Sequence, residues 1–444
     1  MAASRHFLFL LCALLAFTAS AFAQPSAQPT VSEAVASELG KLRELTTAQD
    51  YAPALVIIDR LLGTVEPDSY DLTLLSQIKA QIFLTQGRYT AAITPLETAL
   101  RSAAHPGYLT DSAHTETLFL LAQLYQQQAA ETKDHTLQRP LLAQSADYLA
   151  RSQARTPTPG YESRLFGASL FYQQAVLDPD HLDSAALNRA QHEAAEALLS
   201  RVTPTATPYA LLLATHQQRG EQTQVADLLE LLVEKTPDNA GYWNQLVATY
   251  LALAANATDP RSATRANLRA LFTLERAQSR NLLTTPADHF NQVALNLSLH
   301  QFDAAIALLE KGLADGSLEN SRRNWDLLAT TYQQLQREPD AIATLEKAAA
   351  RFPSDGQLEF RLAQLLYARN RATDALRHLE LAVKKGRLDT PGQTHLFLAY
   401  IAYELKAYED AARWARAAAD FADVKKDDLA RLNLAIADAT KGKS

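Results

Sequence analysis

The stretch QHEAAEA, residues 191 to 197, holds three side chains that could ligate a metal or move a proton: His192, Glu193 and Glu196. On a helix His192 and Glu196 stand at i and i+4 and share a face. Zinc needs a third and a fourth ligand, and the flanking sequence offers none at ligand spacing. The trio therefore reads as a solvated helix face. The other histidines are scattered, and G-x-x-x-x-G-K-[ST], H-E-x-x-H, G-x-S-x-G and C-x-x-C are all absent from the sequence. No catalytic residue, cofactor or metal ligand is assigned, and the chain reads as non-enzymatic. What remains is the chemistry of a surface that binds another protein through many weak contacts.

Such a surface has to be positioned by helices. The chain has 444 residues, 47% hydrophobic and 20% charged, with 14 Gly and 18 Pro, and is rich in Ala, Leu, Gln and Glu. That composition is globular, and its intrinsic propensities predict an all-α protein. In NWDLLATTYQQLQREPDAIATLEKAAARFPSD, residues 324 to 355, Trp325, Leu328 and Tyr332 lie at i, i+3 and i+7, with the small Ala329 beside them. After Arg337-Glu338-Pro339 a second face runs through Ala341, Leu345 and Ala348, and Pro353 ends it. Two antiparallel helices follow. Leu362, Ala363, Ala375, Leu379 and Ala382 repeat the series 34 residues on, and Leu398, Ala399, Ala411, Ala415 and Ala418 repeat it again after an insertion around LDTPG. Upstream, Trp243, Leu246, Val247 and Tyr250 reproduce the spacing of Trp325, Leu328, Ala329 and Tyr332. Weaker units cover the rest, giving about ten helical hairpins from residue 31 to 421 and one further helix from about Lys425 to Ala439, begun by the acids Asp427 and Asp428. The stretches QAAETKDHTLQRP and AANATDPRSATRAN are expected to lengthen hairpin turns, and the Pro-rich joints at 154–160 and 201–208 to interrupt the array.

The period and the Trp, Leu, Tyr, Ala and Pro positions resemble the tetratricopeptide repeat (TPR). The resemblance implies a right-handed superhelix, an α-solenoid closed by a C-terminal capping helix, whose first helices line a concave face. Carried over in that register, the protein-binding candidates are Asn244, Arg323, Asp326, Thr330, Gln333, Arg361, Gln364, Tyr367, Tyr400 and Tyr403. The Lys/Asn clamp with which some TPR modules grip a C-terminal carboxylate is missing, because those positions carry Asp326, Thr330, Phe360 and Gln364. A chaperone-tail adaptor is disfavoured. Residues 240 to 420, with Trp243, the run Glu310 to Gly316, Leu345 to Ala349 and Lys385-Gly386, further resemble exported TPR proteins encoded beside TonB, ExbB and ExbD. That resemblance implies a periplasmic accessory of TonB-dependent transport with those components as protein partners. The N-terminal half departs from the family's pattern.

The leader MAASRHFLFLLCALLAFTASAFAQ has a basic start, a short apolar run and an A-x-A site, the form of a signal peptide cut after Ala23. Its apolar run is shorter than the roughly 20 residues a membrane-spanning helix needs. Cys12, the chain's one cysteine, lies inside it, so an exported product has no thiol and needs no disulfide. The expected organisation is signal peptide 1–23, flexible linker 24–30, irregular N-terminal TPR-like lobe 31–205, C-terminal TPR array 206–421, and capping helix with tail 422–444. The formal net charge of −7, without a basic stripe, argues against nucleic acid as a partner. Two other functions fit the same sequence: a scaffold for outer-membrane protein assembly or polysaccharide export, and an enzyme or enzyme regulator with an unrecognised site in the N-terminal lobe.

Overall fold

Helix starts are written into the sequence as small polar residues. Ser69 Oγ accepts the Leu72 amide at 3.2 Å, Asn239 Oδ1 the Gly241 amide at 3.0 Å and Asp355 Oδ1 the Gln357 amide at 3.0 Å, while Thr285 and Asp288 form a reciprocal capping box. The computed structural model describes residues 29–103 and 107–441, in which every regular element is an α-helix. The leader, its cut after Ala23, Cys12 and most of the 24–30 linker lie outside the described residues.

Twenty helices follow one another as ten consecutive pairs: α1 (Glu33–Thr47) and α2 (Tyr51–Leu62), α3 (Tyr70–Thr85) and α4 (Tyr89–Ser102), α5 (Asp111–Glu131) and α6 (His135–Ala154), α7 (Tyr161–Ala175) and α8 (Ser184–Leu199), α9 (Ala206–Gln218) and α10 (Gln222–Lys235), α11 (Ala240–Ala255) and α12 (Pro260–Gln278), α13 (Pro286–Ser298) and α14 (Phe302–Asp315), α15 (Arg322–Gln334) and α16 (Glu338–Arg351), α17 (Gly356–Ala368) and α18 (Ala372–Lys385), α19 (Pro391–Glu404) and α20 (Tyr408–Ala418). A last helix, α21 (Lys426–Lys441), stands alone. This is the TPR-type arrangement of about ten hairpins and a final helix that the period predicts. The chain divides into two compact units, one ending at Thr215 and one beginning at His216, within α9; the sequence places its lobe boundary at 205.

One turn recurs inside the pairs. Gly87, Gly220, His300, Gln336, Asn370 and Lys406 each take a left-handed φ between 57° and 71°. The next amide then reaches back five residues, as from Arg337 to the Tyr332 carbonyl at 2.9 Å and from Arg371 to Leu366 at 3.0 Å. This satisfies a carbonyl that the helix end would otherwise leave bare, and it reverses the chain within three residues. Glycine is the residue that adopts this conformation without strain, and four of these six positions lack it.

The repeated apolar residues are the core. Leu328, Ala329, Ala341, Leu345 and Ala348, and their counterparts from Leu362 to Ala382, are all buried in one continuous cluster. Alanine at the crossings lets helix axes approach closely, and leucine fills the space between pairs. Gly312 carries the same logic further: a Cβ there would come 2.5 Å from Leu318, whose amide binds the Gly312 carbonyl at 3.0 Å beyond the left-handed Gly316. α21 lays Leu432 and Ile436 on Ala399, Ala402, Ala411 and Ala415, covering the end of the array.

The two insertions do not lengthen turns. α5 and α6 have 21 and 20 residues with only 132–134 between them, and α11 and α12 have 16 and 19 with only 256–259 between them. Once a helix is nucleated, each further residue adds a hydrogen bond, and the inserted Ala, Gln and Glu are good helix formers. Asp134 and Asp259 start the second helices, accepting the Thr136 and Ser262 amides at 2.9 Å each. The first Pro-rich joint falls between α6 and α7; the second falls between α8 and α9 only as far as Thr205, and Pro208 lies buried in the first turn of α9.

Candidate protein-binding surface

The first helices of the last three pairs, α15, α17 and α19, carry nine of the ten candidates, and inter-repeat contacts hold them in register. Glu359 on α17 is only 4% exposed. Its Oε2 is 2.6 Å from His378 Nδ1 and its Oε1 accepts Lys385 Nζ at 2.7 Å; the same ammonium donates to the Ala349 carbonyl at 3.0 Å. Burial pushes the Glu359 carboxyl up, but the hydrogen bonds from His378 and Lys385 and the charge of Lys385 outweigh it and hold the group below the usual glutamate range. Gly356 donates its amide to the Gly386 carbonyl at 2.8 Å, and a Cβ there would meet the Ala382 carbonyl oxygen at 2.2 Å. Arg322 at the start of α15 reaches Asp389 at 3.2 Å and Asp355 at 3.7 Å.

On this frame Asp326, Thr330, Gln333, Arg361 and Gln364 come together. Arg361 Nε donates to Asp326 Oδ1 at 3.0 Å and its Nη2 to Thr330 Oγ1 at 3.4 Å. Gln333 and Gln364 join Asp326 and Arg361 around a cavity of about 120 Å³, floored by Ala329, Leu345 and Leu365. The sequence reads Arg361 as a groove contact, and the structure spends its charge on the neighbouring repeat. Both side chains remain more than a third exposed, 37% and 39%, so the pair holds geometry more than it adds stability.

One turn further along, Tyr367 donates its hydroxyl to Glu404 Oε2 at 2.7 Å. Its ring meets Phe397 edge-on at 5.3 Å and Tyr400 at 6.3 Å, and Phe397 meets Phe360 at 6.3 Å. Burial, then the hydrogen bonds to Glu404 and Tyr400, push the Tyr367 phenol well above its ordinary pKa. Tyr400 is 44% exposed. Sequence reasoning missed Phe397 and Glu404, although Phe397, Tyr400 and Glu404 stand at i, i+3 and i+7 and so share a face of α19. Tyr403 turns away toward its own pair, against Tyr408 at 5.8 Å. Arg323 lays its guanidinium 4.7 Å over Phe290, and Asn244 is exposed on α11, apart from the cluster.

A second device recurs between pairs: a tyrosine on a first helix bonds a glutamate on the preceding second helix. Tyr125 donates to Glu97 at 2.6 Å, Tyr250 to Glu230 at 2.9 Å, and Tyr332 to Glu310. Burial and then the glutamate raise the Tyr250 and Tyr332 phenols to about 12. These tyrosines lie in the helix interface rather than on the binding surface.

Of the potential ligands, His192 is exposed, but Glu193 faces inward, 7% exposed. It accepts Arg164 Nη1 at 3.1 Å and Gln153 Nε2 at 3.4 Å, in space left by Gly167, whose Cβ would stand 3.3 Å from it. The trio is thus split, and Glu193 belongs to a buried ion pair, not to the solvated face expected. Among the described residues no group of three His, Cys, Asp or Glu is placed to hold a metal, and no helix is long and apolar enough to cross a membrane.

No protein-family profile and no curated protein matches the chain. Solved structures do. A thermophilic TPR protein of Thermus thermophilus is 24% identical over 46% of this chain and 99% of its own, with a TM-score of 0.25. MamA of Desulfovibrio magneticus RS-1 is 15% identical over 41% and 94%, with a TM-score of 0.30, and PilF of Pseudomonas aeruginosa 17% identical over 51% and 90%, with 0.29.

Proposed function

We propose that the chain is a non-enzymatic protein-binding scaffold, exported to the periplasm, where it serves as an accessory of TonB-dependent transport. The observation that carries the scaffold reading is the continuous surface across α15, α17 and α19. A polar cavity at Arg361 and an aromatic cluster that exposes Tyr400 stand on helices tied across repeats by Arg322 with Asp355 and Asp389 and by Arg361 with Asp326, and α17 is further braced on α18 by the buried Glu359–Lys385 pair. Rigid helices bearing adaptable polar and aromatic side chains suit an extended segment of a partner. Export rests on the leader sequence, and the TonB association on the resemblance of residues 240 to 420.

The test is an in-cell cross-link and pull-down of the chain from Gln24 onward, beside a variant carrying Gln364→Lys and Tyr400→Ala. Both substitutions lie on the exposed surface and spare the ion pairs. Recovery of TonB, ExbB or ExbD that the variant loses supports both the role and the surface. Recovery of outer-membrane-assembly or polysaccharide-export proteins alone refutes the TonB association. Retention of the chain in the cytoplasm refutes export.

A further inference from the structure

Several aromatic rings of this protein carry one of its own cations over a face. Arg276 lies 5.0 Å over Trp243, Arg323 4.7 Å over Phe290, Arg337 4.7 Å over Tyr332 and Arg413 4.9 Å over Trp414. Among the described residues no cation covers Tyr367, Phe397 or Tyr400; Phe397 and Tyr400 meet the Tyr367 ring, and Tyr367 binds the Glu404 carboxylate, one helical turn beyond Tyr400. Glu404 is exposed, and its Oε2 accepts the neutral Tyr367 hydroxyl. The arginines at hand are engaged elsewhere, Arg361 with Asp326 at 3.0 Å, Arg369 with Glu338 at 2.5 Å and Arg371 with Asp374 at 2.6 Å.

An aromatic cluster beside an uncompensated carboxylate attracts a positive charge twice over. Ring faces carry negative potential, and the carboxylate adds a full charge beside them. We propose that Tyr367, Phe397, Tyr400 and Glu404 form a cage that holds an arginine or lysine side chain of an extended partner segment lying along the first helices. The proposal rests on the scaffold reading and assigns its recognition chemistry. The neighbouring cavity at Gln333 and Gln364 offers neutral hydrogen-bonding groups to the same segment. A guanidinium suits the cage best, since its plane stacks on a ring while its N–H groups reach the carboxylate.

The experiment is selection of random peptide libraries on the immobilised chain, each library fixed at its centre as arginine, lysine, norleucine or glutamate, with titration of the recovered peptides. Arginine- and lysine-centred peptides are expected to be recovered. Glu404→Gln keeps an acceptor for the Tyr367 hydroxyl while removing the charge, and is expected to weaken them about tenfold, as is Tyr400→Ala. Glu346→Gln, at an exposed position of α16, is expected to change nothing. The cage is refuted if norleucine- or glutamate-centred peptides are recovered as readily, if cationic peptides ignore Glu404→Gln in a variant with unchanged melting, or if nothing is recovered. Each of these results leaves the scaffold reading to its own pull-down, which does not involve Glu404.

Discussion

Replacing Lys385 by methionine removes the ammonium 2.7 Å from a glutamate that is almost wholly buried, and takes the Lys385 donor from the Ala349 carbonyl. Methionine keeps most of the aliphatic volume, so the loss is chiefly electrostatic. Breaking one side of a buried ion pair costs roughly 3–5 kcal/mol. Here His378 still contacts Glu359 at 2.6 Å, which places the expected loss at the lower end, about 3 kcal/mol at neutral pH. The readout is hydrogen exchange of the α17 and α18 amides, which isolates this pair of helices from the rest of a long repeat array. Exchange there is expected to accelerate about a hundredfold, while α3 and α4 are unchanged. Glu359→Gln combined with Lys385→Met is expected to cost much less than the two single changes added together, because no buried charge remains unpaired. In the unaltered protein the lowered Glu359 pKa means that the group's contribution is complete above the unfolded glutamate value of about 4.3 and disappears as the pH falls through the lower folded value. Strict additivity of the two substitutions, or a Lys385→Met loss below about 0.5 kcal/mol, would refute this account of the network.

Three further outcomes are expected. Gly392→Ala would place a Cβ 2.3 Å from Asp423 Oδ1 and 2.6 Å from Phe421 Cβ. It should cost about 2 kcal/mol and speed exchange in α19 and α21, since Asp423 also accepts the Gly392 and Gln393 amides at 3.1 and 3.2 Å. Gln336→Gly relieves a left-handed non-glycine residue and should raise stability by about 0.5 kcal/mol, whereas Gly87→Ala should lower it by about 1 kcal/mol; chemical denaturation reads both. Glu310→Gln should bring the Tyr332 phenol down from about 12 toward its ordinary value, followed by tyrosine NMR through an alkaline titration. The unaltered hydroxyl stabilises the fold while protonated, and that stabilisation is lost as the pH rises through the folded value.

The ten helix pairs were legible because their signal is redundant. Each pair needs alanine where axes cross and leucine between them, and residues such as Ala341, Ala375 and Ala411 return at intervals near 34. Capping residues such as Asn239 and Asp355 added independent marks. The binding candidates were legible as positions and not as roles. Arg361, Tyr367 and Tyr400 do share one surface, but no local rule says that Arg361 is tied to Asp326, 35 residues away, or that Tyr403 turns back to Tyr408. Phe397 and Glu404 share a helical face with Tyr400 and went unread because the repeat register ranks core positions above their neighbours.

The sequence by itself determined the class of fold, the number of pairs and the apolar face of each helix, because these depend on periodicity and propensity within about 34 residues. Tertiary structure decided the rest: that the two insertions extend helices instead of turns, that Glu193 and Glu359 go inward to meet cations, and which aromatic rings are left without one. These outcomes turn on whether a polar or flexible side chain finds a partner on another helix. Its free energy differs by several kcal/mol between burial alone and burial in a pair, and only the packed arrangement brings that partner within reach.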